Sequence, residues 1–166
     1  YYFIVLLNNK MRASILITNY NKKDYLSECL NSCIKQTYKD IEVIICDDAS
    51  TDGSLNIINN YKNRIKIIKN NKKKFQYPSL NQIYCLKKCF NISTGEIIFL
   101  LDADDYFNIN KIKKVIRFFK KNKHVKFVQD TPILLLKNQQ KINSRIKIKN
   151  NKDIWPYFFS TSTMVV

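Results

Sequence analysis

Strand-like apolar runs alternate along this chain with amphipathic helical stretches. That order points to a single α/β domain, a mostly parallel sheet flanked by helices. Two runs are especially informative. Ile97-Ile98-Phe99-Leu100-Leu101 and Ile41-Glu42-Val43-Ile44-Ile45-Cys46 are short and almost unbroken, as strands buried on both faces of a parallel sheet are. Each ends abruptly in acid, the first in Asp102-Ala103-Asp104-Asp105 and the second in Asp47-Asp48. Composition agrees: 166 residues, 45% hydrophobic and 25% charged, describe one globular domain long enough to bury a genuine core.

The elements follow in order. Tyr1 to Leu7 is apolar, but it is far shorter than the roughly 20 residues that span a bilayer, and it lacks the basic start of a signal peptide. Met11, followed by Arg12-Ala13 and a strand, looks like a natural start. Residues 1–11 are therefore expected to be a non-native or disordered extension, and the domain to run over 12–166. Ser14–Thr18 is the first strand, closed by the polar turn Asn19-Tyr20-Asn21. From Asp24 the period changes, and Leu26, Cys29, Leu30, Cys33 and Ile34 share one helical face. Thr37-Tyr38-Lys39-Asp40 turns the chain into the second strand, Ile41–Cys46. A loop over 47–53 leads to a helix through Leu55, Ile57, Ile58 and Tyr61, and Ile65–Ile68 is a third strand. Pro78 suits the first turn of a helix. That helix continues through Leu80, Ile83, Tyr84 and Phe90, with Gly95 as its expected C-cap. Strand four is Ile97–Leu101, and a further amphipathic helix carries Ile112, Val115, Ile116 and Phe119. Val125–Gln129, Ile133–Leu136 and Phe158–Val166 read as further strands. The Asn/Lys-rich patches around Asn70–Lys74 and Asn138–Lys152 read as loops or edges.

In open parallel sheets ligands bind beyond the carboxyl ends of the strands, at a topological switch point. Thr18-Asn19-Tyr20, Asp47-Asp48 and Asp102–Asp105 all fall at such ends, so one site is expected to gather an aromatic ring, a hydroxyl and five carboxylates. Clustered carboxylates repel unless something positive neutralises them. An all-oxygen, Asp-rich set suits a hard ion, Mn²⁺ or Mg²⁺. One D-x-D alone would be ordinary turn and cap residues; two acidic strand ends weigh more. Gly53 and Gly95 are the only glycines, so neither G-x-G-x-x-G nor G-x-x-x-x-G-K-[ST] can be written, which excludes a dinucleotide-binding Rossmann site and a P-loop. The stretch from Asp48 to Gly53 mimics the start of an EF-hand, but its twelfth position is Asn59 instead of Glu.

A net charge of +16 invites a nucleic-acid reading, yet Lys outnumbers Arg by roughly six to one, and Arg is the better reader of phosphate and bases. Abundant Lys, Asn and Ile are what an AT-rich coding sequence produces unaided. Nucleic acid is not the expected partner, and a basic surface resting on an anionic membrane is the better expectation. Five cysteines, an odd number, and no visible secretory signal favour a reducing, cytoplasmic compartment. The pairs Cys29/Cys33 and Cys85/Cys89 read as small core residues in preference to zinc ligands. His124, the only histidine, stands at an expected turn and suits neither a triad nor a metal site.

Four segments in order carry a resemblance. They are Ser14-Ile15-Leu16-Ile17-Thr18-Asn19-Tyr20-Asn21, Gln36-Thr37-Tyr38, the run Val43-Ile44-Ile45-Cys46-Asp47-Asp48-Ala49-Ser50-Thr51-Asp52-Gly53, and Gly95 through Asp105. Over residues 14–105 they resemble the family 2 glycosyltransferases of the GT-A (Rossmann-like) fold, and the last looks like that family's G-E-x-I-x-x-L-D-x-D-D segment. The resemblance implies inverting transfer of a sugar from a nucleotide diphosphate, usually UDP, to the hydroxyl of a glycan, lipid-linked or other acceptor. By position, Thr18 and Tyr20 would line the base pocket and Asp48 would hydrogen-bond the base, most naturally a uracil N–H. Asp102 would sit near the ribose and the metal, and Asp104 would bind the Mn²⁺ or Mg²⁺ that bridges the phosphates. Asp47 is expected to be structural, and Asp105 either to support the binding residues from behind or to cap a helix. Asn81 matches the family's usual Asn, but the Arg beside it is missing; the Lys72–Lys74 run either reaches phosphate in its place or is a solvated loop. The family's base is a carboxylate beyond a strand that Phe159–Val166 resembles, so the base is expected beyond Val166, with the domain C-terminally incomplete; Asp130 and Asp153 lack motif context.

Three other readings compete. Haloacid-dehalogenase-like phosphatases also place D-x-D after a strand, with the first Asp as nucleophile. They would leave Asp47-Asp48 and Thr18-Asn19-Tyr20 unexplained. The others are a basic binding module and a fragment that binds a nucleotide sugar but catalyses nothing.

Overall fold

The computed structural model describes residues 11–128 and the backbone of two short strands, 133–135 and 141–143. Its centre is a four-stranded sheet of β1 (Ala13–Asn19), β2 (Ile41–Asp48), β3 (Lys66–Asn70) and β4 (Ile97–Asp102). The strands are all parallel, in the order β3-β2-β1-β4. Burial follows position in the sheet. The central strands β1 and β2 are buried along nearly their whole length, whereas β4, although its sequence is the most continuously apolar, alternates between buried and half-buried residues.

Four helices cover the sheet: α1 (Lys23–Ile34), α2 (Ser54–Asn59), α3 (Pro78–Asn91) and α4 (Lys111–Lys121). One core joins Leu26 and Leu30 of α1, Ile58 of α2 and Ile112, Ile116 and Phe119 of α4 to Ile15, Ile17, Val43 and Ile45 of the sheet. On the other face Cys85 and Cys89 of α3 pack on Leu16, Ile44 and Cys46. All five cysteines are free and buried, as small apolar residues are. The chain moves outward from β1 to β3 on the first face, then returns by α3 across the second face to place β4 on the far side of β1. Right-handed crossovers require that change of face. The gap between β1 and β4 is thus the switch point, and the register sets Thr18 beside both Cys46 and Asp102.

The opposite, amino end of the sheet is held by Glu42. Its carboxylate accepts hydrogen bonds from the Ser14 hydroxyl (2.6 Å), the Thr94 hydroxyl (2.9 Å) and the Gly95 N–H (3.1 Å), and pairs with Lys66 at 2.8 Å. Burial alone would push this carboxyl up; hydrogen bonds from Lys66, Ser14 and Thr94 outweigh it and bring the pKa down to about 2.

Some sequence expectations need correction. Gly95 does not cap α3, whose end is closed by the Ile92 N–H bonding to the Cys89 carbonyl (3.3 Å). Gly95 is small because the chain passes β1 there: a Cβ would lie 2.5 Å from the Ser14 backbone nitrogen. Val125–Val128 is not a strand; it follows a turn and packs its valines on the core. Ile133–Leu135 is a strand, pairing antiparallel with Lys141–Asn143, which lies within the second Asn/Lys-rich patch. Residues 1–10, Gln129, Leu136 and the expected strand Phe158–Val166 lie outside the described residues. No helix among the described residues is long and apolar enough to cross a membrane.

Candidate active site

At the carboxyl ends of β1, β2 and β4 a cleft of about 400 Å³ opens over the switch point, and Thr18, Tyr20, Asp48, Asp102 and Asp104 all line it. Five residues singled out in the sequence therefore meet in space, although 86 positions separate the first from the last.

Period-two geometry splits the first acidic pair, because neighbours on a strand face opposite ways. Asp47 is fully buried and accepts hydrogen bonds from the Asn19 amide (2.6 Å), the Ser50 N–H (3.0 Å) and the Ser50 hydroxyl (2.6 Å). It holds the loop after β2 together and is structural. Asp48 faces the cleft, where Oδ1 accepts the Asn70 amide at 2.9 Å; Lys88 Nζ in turn donates to Asn70 Oδ1 at 2.6 Å. The same loop reaches α2 through Gly53, whose φ of 90° lies in the left-handed region that glycine tolerates.

Asp102, at the end of β4, is gripped from α3. Gln82 Nε2 donates to its Oδ1 at 2.8 Å, and the Thr18 hydroxyl approaches the same oxygen at 3.5 Å. Asp104 is exposed at the rim, with Lys22 Nζ 2.6 Å from its Oδ2. That hydrogen bond raises the Lys22 pKa, with burial working against it. Tyr20 stands on the turn after β1, and Lys73 Nζ lies 3.3 Å from its ring centroid. Only Lys73 of the Lys72–Lys74 run lines the cleft; Lys74 rests over the Tyr84 ring at 4.4 Å. Asn81, buried at the start of α3, fixes this loop by accepting from the Lys74 and Phe75 N–H groups (3.1 and 2.8 Å) and donating to the Phe75 carbonyl at 2.8 Å.

The expectation of five gathered carboxylates is thus reduced. Asp48, Asp102 and Asp104 line the cleft, Asp47 turns inward, and Asp105 is not part of the lining. Lys22 supplies Asp104 with a counter-charge, while the neutral amides of Asn70 and Gln82 hold Asp48 and Asp102. Lys22, Gln82 and Asn70 went unnoticed because only the fold brings them to the carboxylates. Among the described residues no three His, Cys, Asp or Glu side chains group to hold a metal ion. The donor set nevertheless fits a hard cation that keeps waters and takes phosphate oxygens as its remaining ligands, the usual mode of Mg²⁺.

The family model described as glycosyl transferase family 2 matches residues 14–163, nearly the entire chain. The chain belongs to that family. Among relatives of this family 2 chain is WfaP of Escherichia coli, a UDP-Glc:α-D-GlcNAc-diphosphoundecaprenol β-1,3-glucosyltransferase. It is 44% identical over 112 residues, which cover 67% of this chain and 42% of WfaP. The poly(ribitol-phosphate) β-glucosyltransferase of Bacillus spizizenii is 35% identical over 116 residues, covering 68% of this chain and 18% of that protein. Among solved structures, residues 1–349 of Staphylococcus aureus TarS in complex with UDP align with a TM-score of 0.59 at 27% identity, covering 68% of this chain and 33% of that 1–349 chain. The family 2 chain therefore spans less than half the length of each of these proteins. Its α/β fold is the GT-A fold of those neighbours, and nothing among the relatives supports the phosphatase reading.

Proposed function

We propose that this chain forms the donor-binding part of an inverting glycosyltransferase that moves a sugar from a nucleotide diphosphate, UDP, to an acceptor hydroxyl. The observation that carries the reading is the convergence of Asp48, Asp102 and Asp104 in one cleft at the switch point, each held by a different element. Asp48, held by a neutral amide partner, accepts the uracil N3–H. Tyr20 and Thr18 wall the base, and Asp102 is positioned by Gln82 to take the ribose. Lys73, carried by the loop that Asn81 organises, supplies a positive charge toward the phosphates where the family's Arg is missing.

Asp104, with Asp102 beside it, would hold Mn²⁺ or Mg²⁺, whose charge stabilises the departing diphosphate. No described residue is assigned as the general base. The related WfaP names a lipid-linked acceptor, which supports a cytoplasmic enzyme working at the inner face of a membrane. Calorimetric titration of UDP with and without Mn²⁺ tests the site. Mn²⁺ should tighten UDP binding in the wild type, and Asp104→Ala should abolish that gain; an unchanged gain in the variant removes Asp104 from the metal site.

A further inference from the structure

Two stretches of the described residues are strongly one-sided in charge: 62–74, with seven Lys or Arg and no Asp or Glu, and the segment on and just after α4. Residues 106–128 contain eight Lys or Arg and no Asp or Glu, whereas residues 11–60 contain five Lys or Arg and seven Asp or Glu. Of the two, only α4 carries its cations on a helix, where they can share one face. At about 100° per residue, Lys113, Lys114, Arg117, Lys120 and Lys121 fall within an arc of about 120°, and Phe118 lies at its edge. All six are exposed, Phe118 by 43%. Ile112, Ile116 and Phe119 are buried on the opposite side and lock the helix so that the arc points outward. The ion pairs among the described residues are Arg12–Glu42, Lys22–Asp104 and Lys66–Glu42, so none of these five cations is neutralised by one. α4 also begins shortly after Asp104, which places the basic face in the segment leaving the donor cleft.

We infer that the outer face of α4 is a docking surface for an anionic phospholipid bilayer, with its cations among the headgroups and Phe118 at the apolar boundary. A row of cations with an exposed aromatic edge suits the membrane interface, where the ring is buried and long side chains keep their charge in the headgroup layer. Four of the five cations are Lys, which serve as point charges toward a diffuse anionic surface and are poor readers of bases. This inference rests on the proposed location at a membrane face. It does not depend on the identity of the donor.

The test is sedimentation with phosphatidylcholine vesicles containing phosphatidylglycerol, against phosphatidylcholine alone and against a single-stranded oligonucleotide. The wild-type chain should pellet with the anionic vesicles and be released as NaCl rises from about 0.1 M to about 1 M. Each cation at an anionic surface changes the partition coefficient by about fivefold. The variant Arg117→Gln/Lys120→Gln/Lys121→Gln should therefore lose on the order of a hundredfold. Lys62→Gln/Arg64→Gln/Lys69→Gln, which has the same net charge, should lose little. Equal losses in the two variants would reduce the effect to net charge and overturn the inference, as would wild-type protein left in the supernatant. Tight oligonucleotide binding without vesicle binding would assign the face to nucleic acid instead. Circular dichroism of both variants establishes that they fold. UDP calorimetry on the α4 variant should match wild type, so a failure to bind UDP counts against the donor reading alone.

Discussion

At Asp48 the carboxylate is held by the neutral Asn70 amide and not by a cation. A carboxylate offers about four acceptor positions, so capacity remains for a ligand N–H, and the charge is not spent on an internal ion pair. Losing one hydrogen bond to a charged acceptor costs about 1.5–3 kcal/mol. Asp48→Ala should accordingly weaken UDP binding by at least roughly tenfold, read by calorimetry. Wild-type protein that bound ADP as tightly as UDP would show that Asp48 does not select the base. Strand position gathered Asp47 and Asp48 at one site, and only the family resemblance marked Asp47 as structural; the structure turns Asp47 inward because adjacent strand residues face apart. Lys22, Gln82 and Asn70 were not legible: a polar side chain on a loop, helix or edge carries no mark of the carboxylate it will meet. Lys73 was legible only as one of three lysines, because the loop geometry that selects it depends on Asn81.

Among the elements, the amino end of the sheet depends on Glu42 more than on any propensity. Its acceptor bonds join β1, the lead into β4 and, through Lys66, β3. The native pKa of about 2 lies below the ordinary value of 4.5. Between those values the unfolded chain binds more protons than the native one, so stability rises with pH. The contribution is complete above about pH 4.5 and is lost as pH falls toward 2. Glu42→Gln should lower stability at neutral pH by about 2–3 kcal/mol, and the gap to wild type should close through that acidic window in urea melts followed by circular dichroism. Element order was readable from periodicity, and the strand cores fell where apolar runs stand. Gly95 misled because a glycine after a helix is usually a cap. Its smallness serves a close passage by Ser14 that only the assembled sheet creates. Lys141–Asn143 hid in a polar patch because a short strand needs little apolar pattern of its own.

The whole molecule places its ligand surface and its stabilising clamp at opposite ends of one sheet, so the two can be perturbed separately. A ligand that binds only the native state stabilises it by mass action, about 2.7 kcal/mol at a hundredfold excess over Kd. Saturating UDP with Mn²⁺ should raise Tm by roughly 5–10 °C in a thermal-shift measurement. Asp104→Ala should lose most of that rise while keeping its unliganded Tm, because Asp104 is exposed and its partner is half-exposed. The cleft's location followed from strand order, but its closure across the switch point did not. That closure is the contact between Lys22, leaving β1, and Asp104, leaving β4. A cation bound at Asp104 would compete with Lys22 for that carboxylate, and an ammonium so displaced would lose its nearest counter-charge. A diphosphate provides one. On the proposed reading metal and nucleotide would be coupled in part through Lys22, and whichever bound first would tighten the other by one and the same factor.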